Sequence, residues 1–236
     1  MSKDNPGLIR RVWRWFWSPT GVIALGVLLI GGFAAGVLFW GGFHWALEET
    51  NTEEFCVSCH EMRDNVFAEY QGTVHQYNAS GVRATCPDCH VPKDWAPKIV
   101  RKIQASKELY GHFISGVVDT PEKFQEHRLA LATRVWTAMK STDSRECRNC
   151  HKFDYMDFTF QESRAAASHE QAQAEGKTCI DCHQGIAHTL PHGWEEGYEA
   201  VVEKLAAGEV PDALGTEFAA AHGAGIEAYL DGLRAD

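Results

Sequence analysis

Four short motifs constrain this chain more than anything else in it: Cys56-Val57-Ser58-Cys59-His60, Cys86-Pro87-Asp88-Cys89-His90, Cys147-Arg148-Asn149-Cys150-His151 and Cys179-Ile180-Asp181-Cys182-His183. Each reads Cys-x-x-Cys-His, the attachment pattern of a c-type haem. Two thiols form thioethers to the haem vinyl groups, and the adjoining imidazole reaches the iron. The four motifs use all eight cysteines. Histidine makes up 12 of 236 residues. Its chance placement after four of four Cys-x-x-Cys pairs therefore has odds on the order of 1 in 100,000. Paired zinc knuckles would use the thiols but leave the four histidines unexplained. The spacing thus predicts four covalently bound haem c groups.

That prediction shapes the fold class. Outside one N-terminal run the chain is thin in aliphatic residues, so four porphyrins would supply most of the core. The expected fold is mainly α with little regular structure, one N-terminal transmembrane helix and a periplasmic multihaem domain built of two duplicated dihaem units. Haem attachment of this kind occurs outside the bacterial cytoplasmic membrane. The net charge of −10 argues against nucleic acid as a partner.

In chain order, residues 1–18 are basic and aromatic, with Arg10, Arg11 and Arg14 among Trp13, Trp15, Phe16 and Trp17. Residues 19–47 contain no charge. As a helix they reach about 42 Å, longer than the roughly 30 Å of hydrocarbon. A cleaved signal peptide has an apolar stretch of only about 7–15 residues, so an uncleaved signal anchor is expected. Arginines before it and Glu48, Glu49, Glu53 and Glu54 after it predict a cytoplasmic N-terminus, a single pass through the bacterial inner membrane and a periplasmic haem domain. Gly32 and Gly36 stand at a spacing that packs membrane helices, which makes a homodimer a candidate assembly.

Residues 48–192 are expected to form the tetrahaem domain and 193–236 an acidic tail. The first cysteines fall at 56, 86, 147 and 179, as two pairs. His75 lies within the first pair and His169 within the second, which reads as duplication. Between the pairs, one helix is expected to start at Pro97 and to carry Lys98, Arg101 and Glu108 on one face, with Lys102 at its edge. Lys93 and Lys107 add to this basic cluster. A second helix starts at Thr120-Pro121, with Phe124, Leu131, Val135 and Met139 as its apolar stripe. Short helices are expected over 195–207 and 212–233.

Each iron has a second axial position, filled by His or Met in electron-transfer haems. The candidate histidines outside the motifs are His44, His75, His112, His127, His169, His188, His192 and His222. His75 and His169 rank first by their matched places, and His188 follows because it lies close behind His183. Met62, two residues after His60, is a candidate for the first iron; core packing is its alternative.

The chain resembles the NapC/NirT family of membrane-anchored multihaem quinol dehydrogenases. The resemblance rests on Cys-Val-Ser-Cys-His-Glu-Met at 56–62, Gly-Val-Arg-Ala-Thr-Cys-Pro-Asp-Cys-His-Val-Pro-Lys at 81–93, Ser-Arg-Glu-Cys-Arg-Asn-Cys-His at 144–151 and Cys-Ile-Asp-Cys-His-Gln-Gly-Ile-Ala-His at 179–188. It covers about residues 8 to 192. It implies oxidation of menaquinol or ubiquinol at the membrane surface and electron delivery through four haems to a periplasmic reductase. The nitrate reductase complex NapAB is the implied acceptor, in nitrate respiration or denitrification. The resemblance also implies Met62 on the first iron, where the motif alone gives His60, and it implies His188 opposite His90, His75 opposite His151 and His169 opposite His183. Lys102 and Glu108 become the implied quinol-site residues. Two rival functions are an electron-transfer anchor for a nitrite or TMAO reductase with no quinol site of its own, and a haem-based reductase with an open iron.

Overall fold

The computed structural model describes residues 7–17, 21 and 25–209. The chain divides into two units, residues 1–49 and 50–236. Among the described residues all regular structure is helical and there is no strand.

The first unit contains α1 (Leu8–Trp17) and α2 (Leu25–Glu49). Arg10, Arg11 and Arg14 lie within α1, so the basic stretch is itself helical. α2 is the one helix among the described residues that is long and apolar enough to cross a membrane. It differs in its bounds from the charge-free run: it continues through Glu48 and Glu49, because helical propensity rather than charge decides where it ends. Phe39 stacks on Phe43 at 6.2 Å, and Trp40 meets His44 edge-on at 4.7 Å. A Cβ on Gly32 or Gly36 would meet nothing within 4 Å, so that face of the helix is open.

The second unit begins with α3 (Glu53–Cys56), a π-helical turn at Met62–Phe67 and α4 (Ala68–Tyr70). α5 (Cys86–His90) and α6 (Trp95–Tyr110) follow, and α6 runs into a second π-helical turn, Gly111–Ser115. Next come α7 (Pro121–Ser141), α8 (Arg145–Arg148), α9 (Ser163–Ala174) and α10 (Trp194–Ala206). A 3-10 turn at Cys179–Asp181 precedes α10.

Two helices depart from the sequence reading. α6 starts at Trp95 after an extended Asp94, which leaves Pro97 at the third helical position. The first turn of a helix has no partner for its N–H groups, so the missing proline donor costs nothing there. In α7, Thr120 Oγ1 accepts from the Lys123 amide at 3.3 Å, and Pro121 follows as the first helical residue. Its packed face keeps Phe124 and Met139 of the stripe expected and takes Leu129, Ala132 and Trp136 in place of Leu131 and Val135. Phe124, Arg128 and Trp136 are buried, with Leu129, Ala132 and Met139 packed beside Trp136; Leu131 and Val135 are only half-buried. Positions 129, 132, 136 and 139 keep helical period and bring the largest apolar side chain to the centre.

The protein-only core is small. Among the described residues of this unit the buried apolar side chains are Tyr70, Phe124, Trp136, Ile180, Tyr198 and Val201. Trp136, Ile180 and Tyr198 form one cluster where α7, the Cys179 turn and α10 meet. The Trp136 and Tyr198 rings meet edge-on at 5.8 Å. Gly197 allows the close approach, because a Cβ there would sit 2.8 Å from Leu129 Cδ1. Within the 193–236 stretch, Trp194–Ala206 is thus packed helix. The helix expected over 212–233, and His222 within it, lie outside the described residues.

Candidate functional site

The Cys-x-x-Cys-His segments fold locally by repeated devices. Thr85 and Thr178 cap the second and fourth motifs identically. Each threonine hydroxyl and amide donates to the carboxylate three residues on, Asp88 or Asp181, at 2.7–2.9 Å. Burial alone would raise the Asp181 carboxyl, but Lys140, Tyr198 and Thr178 donate to it and hold it at about 2. Lys140 Nζ and the Tyr198 hydroxyl reach the same oxygen at 2.6 and 2.7 Å, so α7 and α10 both grip the fourth motif. Before the third motif, Asp143 and Ser144 both have φ of 50°, a region that costs energy for residues other than glycine. The strain places the fully buried Ser144 so that its hydroxyl accepts from the Ile180 amide at 3.2 Å. This bond ties the third motif to the fourth.

The motifs follow one another in space. α3, with the first, packs against α5, with the second, and α5 packs against α8, with the third. The Cys86 thiol bonds to the Cys56 sulfur, which draws Cys56 down to about 7 and pushes Cys86 up. Cys179 and Cys147 repeat this, with Cys179 drawn down to about 6 and Cys147 pushed up. Cys89 lies within electrostatic reach of Cys150, across the middle of the series. Cys59 and Cys182 complete the first and fourth motifs.

Three imidazole pairs stand across the motifs. His90 and His188 have ring centroids 6.2 Å apart, His75 and His151 6.1 Å, and His169 and His183 6.1 Å. Two imidazoles binding one iron from opposite faces at ~2 Å per bond have centroids about 6 Å apart. The gaps therefore fit one haem iron each and are too wide for direct ring stacking. Burial is the main reason that His75, His183 and His188 are held below the usual imidazole range, and it takes His90 to about 4. A neutral ring is the form that binds a metal.

Bonds at or next to each distal histidine position it. The Tyr70 hydroxyl bonds to the carbonyls of His75, at 2.8 Å, and of Ala84. His169 Nδ1 donates to Gln161 Oε1 at 2.6 Å, leaving Nε2 for a metal. Beyond His188, the Thr189 carbonyl accepts from Arg128 at 2.7 Å, and its amide donates to Glu69 at 3.0 Å. Arg128 also pairs with Glu69 at 2.5 Å.

The first motif is different. His60 lies 5.6 Å from His112, ring to ring and edge-on, and the buried Glu61 stands between them. Glu61 Oε1 contacts His112 Nδ1 and lies 3.8 Å from His60 Nε2. Met62 is about one-third exposed at the start of the π-helical turn. Both π-helical turns, at 62–67 and 111–115, converge on this spot, and such turns recur at functional sites. Sequence reasoning missed Glu61 and gave His112 little weight. The available signal was Glu61 lying inside the Cys-x-x-Cys-His-x-Met segment.

Lys102 and Glu108 do not meet each other. Lys102 Nζ donates to the Thr50 carbonyl at 2.6 Å and to Thr50 Oγ1 at 3.2 Å. Glu108 pairs with Arg101 at 2.8 Å, and Arg101 Nε reaches the His90 carbonyl at 3.3 Å. All three act on the Cys56 sulfur, Lys102 and Arg101 lowering it and Glu108 raising it, so they lie within electrostatic reach of the first motif. His127 is exposed, with Nδ1 on the Lys123 carbonyl. His44 lies in α2.

The family model described as the NapC/NirT cytochrome c family, N-terminal region, matches residues 18–193. Cytochrome c-type protein NapC of Escherichia coli K12 is 59% identical over 190 residues, covering 80% of this chain and 94% of that protein. Denitrification system component NirT of Stutzerimonas stutzeri is 57% identical, covering 75% of this chain and 88% of that protein. Cytochrome c-type protein NapC of Paracoccus pantotrophus is 54% identical, covering 84% and 89%. No solved structure matches the chain.

Proposed function

We propose a function on one premise: this chain belongs to the NapC/NirT cytochrome c family. It is an electron-transfer cytochrome, and within that role we assign it quinol oxidation at the periplasmic face of the inner membrane. Electrons pass to a soluble periplasmic reductase. The nitrate reductase complex NapAB is the favoured acceptor, because relatives matching most of the chain bear the name NapC. Relatives named NirT and TorC support a second reading, an electron-transfer anchor for another periplasmic reductase (nitrite or TMAO) without a quinol site of its own.

The observation that carries the proposal is the inequality of the four motifs. Three have an imidazole pair at iron-spanning distance. The first instead has His60, Met62, Glu61 and His112 beside it, with Lys102 and Glu108 in electrostatic reach. In this reading the eight motif cysteines hold four haems. His90 with His188, His75 with His151, and His169 with His183 ligate three irons; His60 or Met62 ligates the first. Bound haem c supplies one-electron carriers whose potentials follow their axial ligands.

Quinol oxidation releases two electrons and two protons. Lys102 exchanges its bond to Thr50 for one to the quinol oxygen, and Glu108 takes the two protons one after the other. Its side chain is 62% exposed, so each proton can leave to water. α2 anchors the chain with its N-terminus in the cytoplasm, supported by the arginines before it and the glutamates after it. The open Gly32–Gly36 face makes a homodimer available.

The test reconstitutes the full-length haem-loaded protein in vesicles with quinol and purified NapAB. Nitrate-dependent quinol oxidation is expected. Oxidation only when a nitrite or TMAO reductase replaces NapAB would favour the second reading's acceptor.

A further inference from the structure

α6 and the turn after it carry an apolar stripe that the haem relay does not use. Ile103, Tyr110, Phe113, Ile114 and Val117 are all exposed, Phe113 and Ile114 at 71% and 70%. At roughly 100° per residue, Ile103 and Tyr110 fall on the side of α6 opposite Arg101. Arg101 faces the body of the unit through the His90 carbonyl. His112, the turn's inward residue, meets Glu61. The stripe therefore points away from the motifs.

Two further features identify its occupant. Lys102 lies along one border of the stripe and Lys107 along the other. The one acid of α6, Glu108, lies off the stripe and is paired with Arg101. Apolar and aromatic residues flanked by lysines are the pattern of a helix lying in an anionic lipid interface. The second feature is a tether. Lys102 bonds to Thr50, the residue joined directly to Glu49 at the end of α2. A helix held to that residue is held where the chain leaves the bilayer.

We propose that α6 and its π-helical turn lie on the outer leaflet as an interfacial helix, with the Ile103–Val117 stripe in the acyl boundary and the lysines at anionic headgroups. The inference rests on α2 being a membrane anchor. It puts the quinol-site candidates at the depth where quinol arrives.

The full-length haem-loaded protein in vesicles of phosphatidylethanolamine and phosphatidylglycerol, doped with a lipid bearing a diazirine on its acyl chain, tests this. After photolysis and peptide mapping, acyl adducts are expected in both 25–49 and 103–117. Adducts in 25–49 with none in 103–117 overturn the proposal and leave the anchor intact. No adducts in either overturn the anchor reading and the proposal with it. Crosslinks from 103–117 to a second copy, without acyl adducts, assign the stripe to a protein interface and also overturn it. The double variant Phe113→Glu, Ile114→Glu, at two exposed positions, should cut adducts in 103–117 by about fivefold or more while those in 25–49 persist. Unchanged labelling of the variant contradicts the proposal.

Discussion

His90 and His188 face each other at 6.2 Å with their rings 25° from parallel, although one ends the second motif and the other follows the fourth. The fold thus brings together residues far apart in the chain, held by Arg128 and Glu69 at the neighbouring Thr189. Replacing His188 with Met should keep one haem low-spin but raise its potential on the order of 0.1 V, within the roughly 0.8 V span that axial ligands set. His188→Ala should make that haem high-spin. Redox titration and ferric EPR read both, and unchanged spectra would remove His188 from the iron.

Lys102→Gln and Glu108→Gln should each slow haem reduction by quinol by about 10- to 100-fold, the usual worth of a positioned proton-transfer group. Dithionite reduction should not change. Stopped-flow absorbance measures both, and normal quinol kinetics would exclude these residues.

The grip of α10 on the fourth motif gives stability predictions. Trp136→Ala should cost about 3–5 kcal/mol, as for other buried aromatics. Tyr198→Phe should cost about 1 kcal/mol by removing the bond to Asp181. Gly197→Ala should cost about 1–3 kcal/mol by forcing Leu129 aside. Denaturant unfolding followed by far-UV dichroism measures all three.

Cys179→Ala with Cys182→Ala should remove one haem. The pyridine haemochrome assay should fall from four haems per chain to three, matching the four motifs. An unchanged count would refute thioether attachment there.

Much of this molecule is written in local patterns. Cys-x-x-Cys-His spacing identifies the cytochrome family, and a charge-free run marks α2. Thr120-Pro121 marks the start of α7, because capping acts within four residues. What depends on distant packing is less legible. The face of α7 is chosen by Trp136 meeting Tyr198 and Ile180, so of the expected stripe Phe124 and Met139 pack inward while Leu131 and Val135 stay outside the cluster. The meeting of Glu61 with His112 spans 51 residues and two π-helical turns that have no sequence signature. α10 reads as an acidic amphipathic segment, and nothing local in it reveals that Tyr198 reaches Asp181.

The central claim is that this chain itself takes electrons from quinol at its first motif. The most direct measurement is anaerobic mixing of the purified full-length protein in vesicles with menaquinol or ubiquinol, with no reductase present, followed by haem absorbance. Quinol is predicted to reduce the haems at a rate that Lys102→Gln lowers. Full reduction by dithionite with none by either quinol would contradict the account and leave a passive electron-transfer anchor.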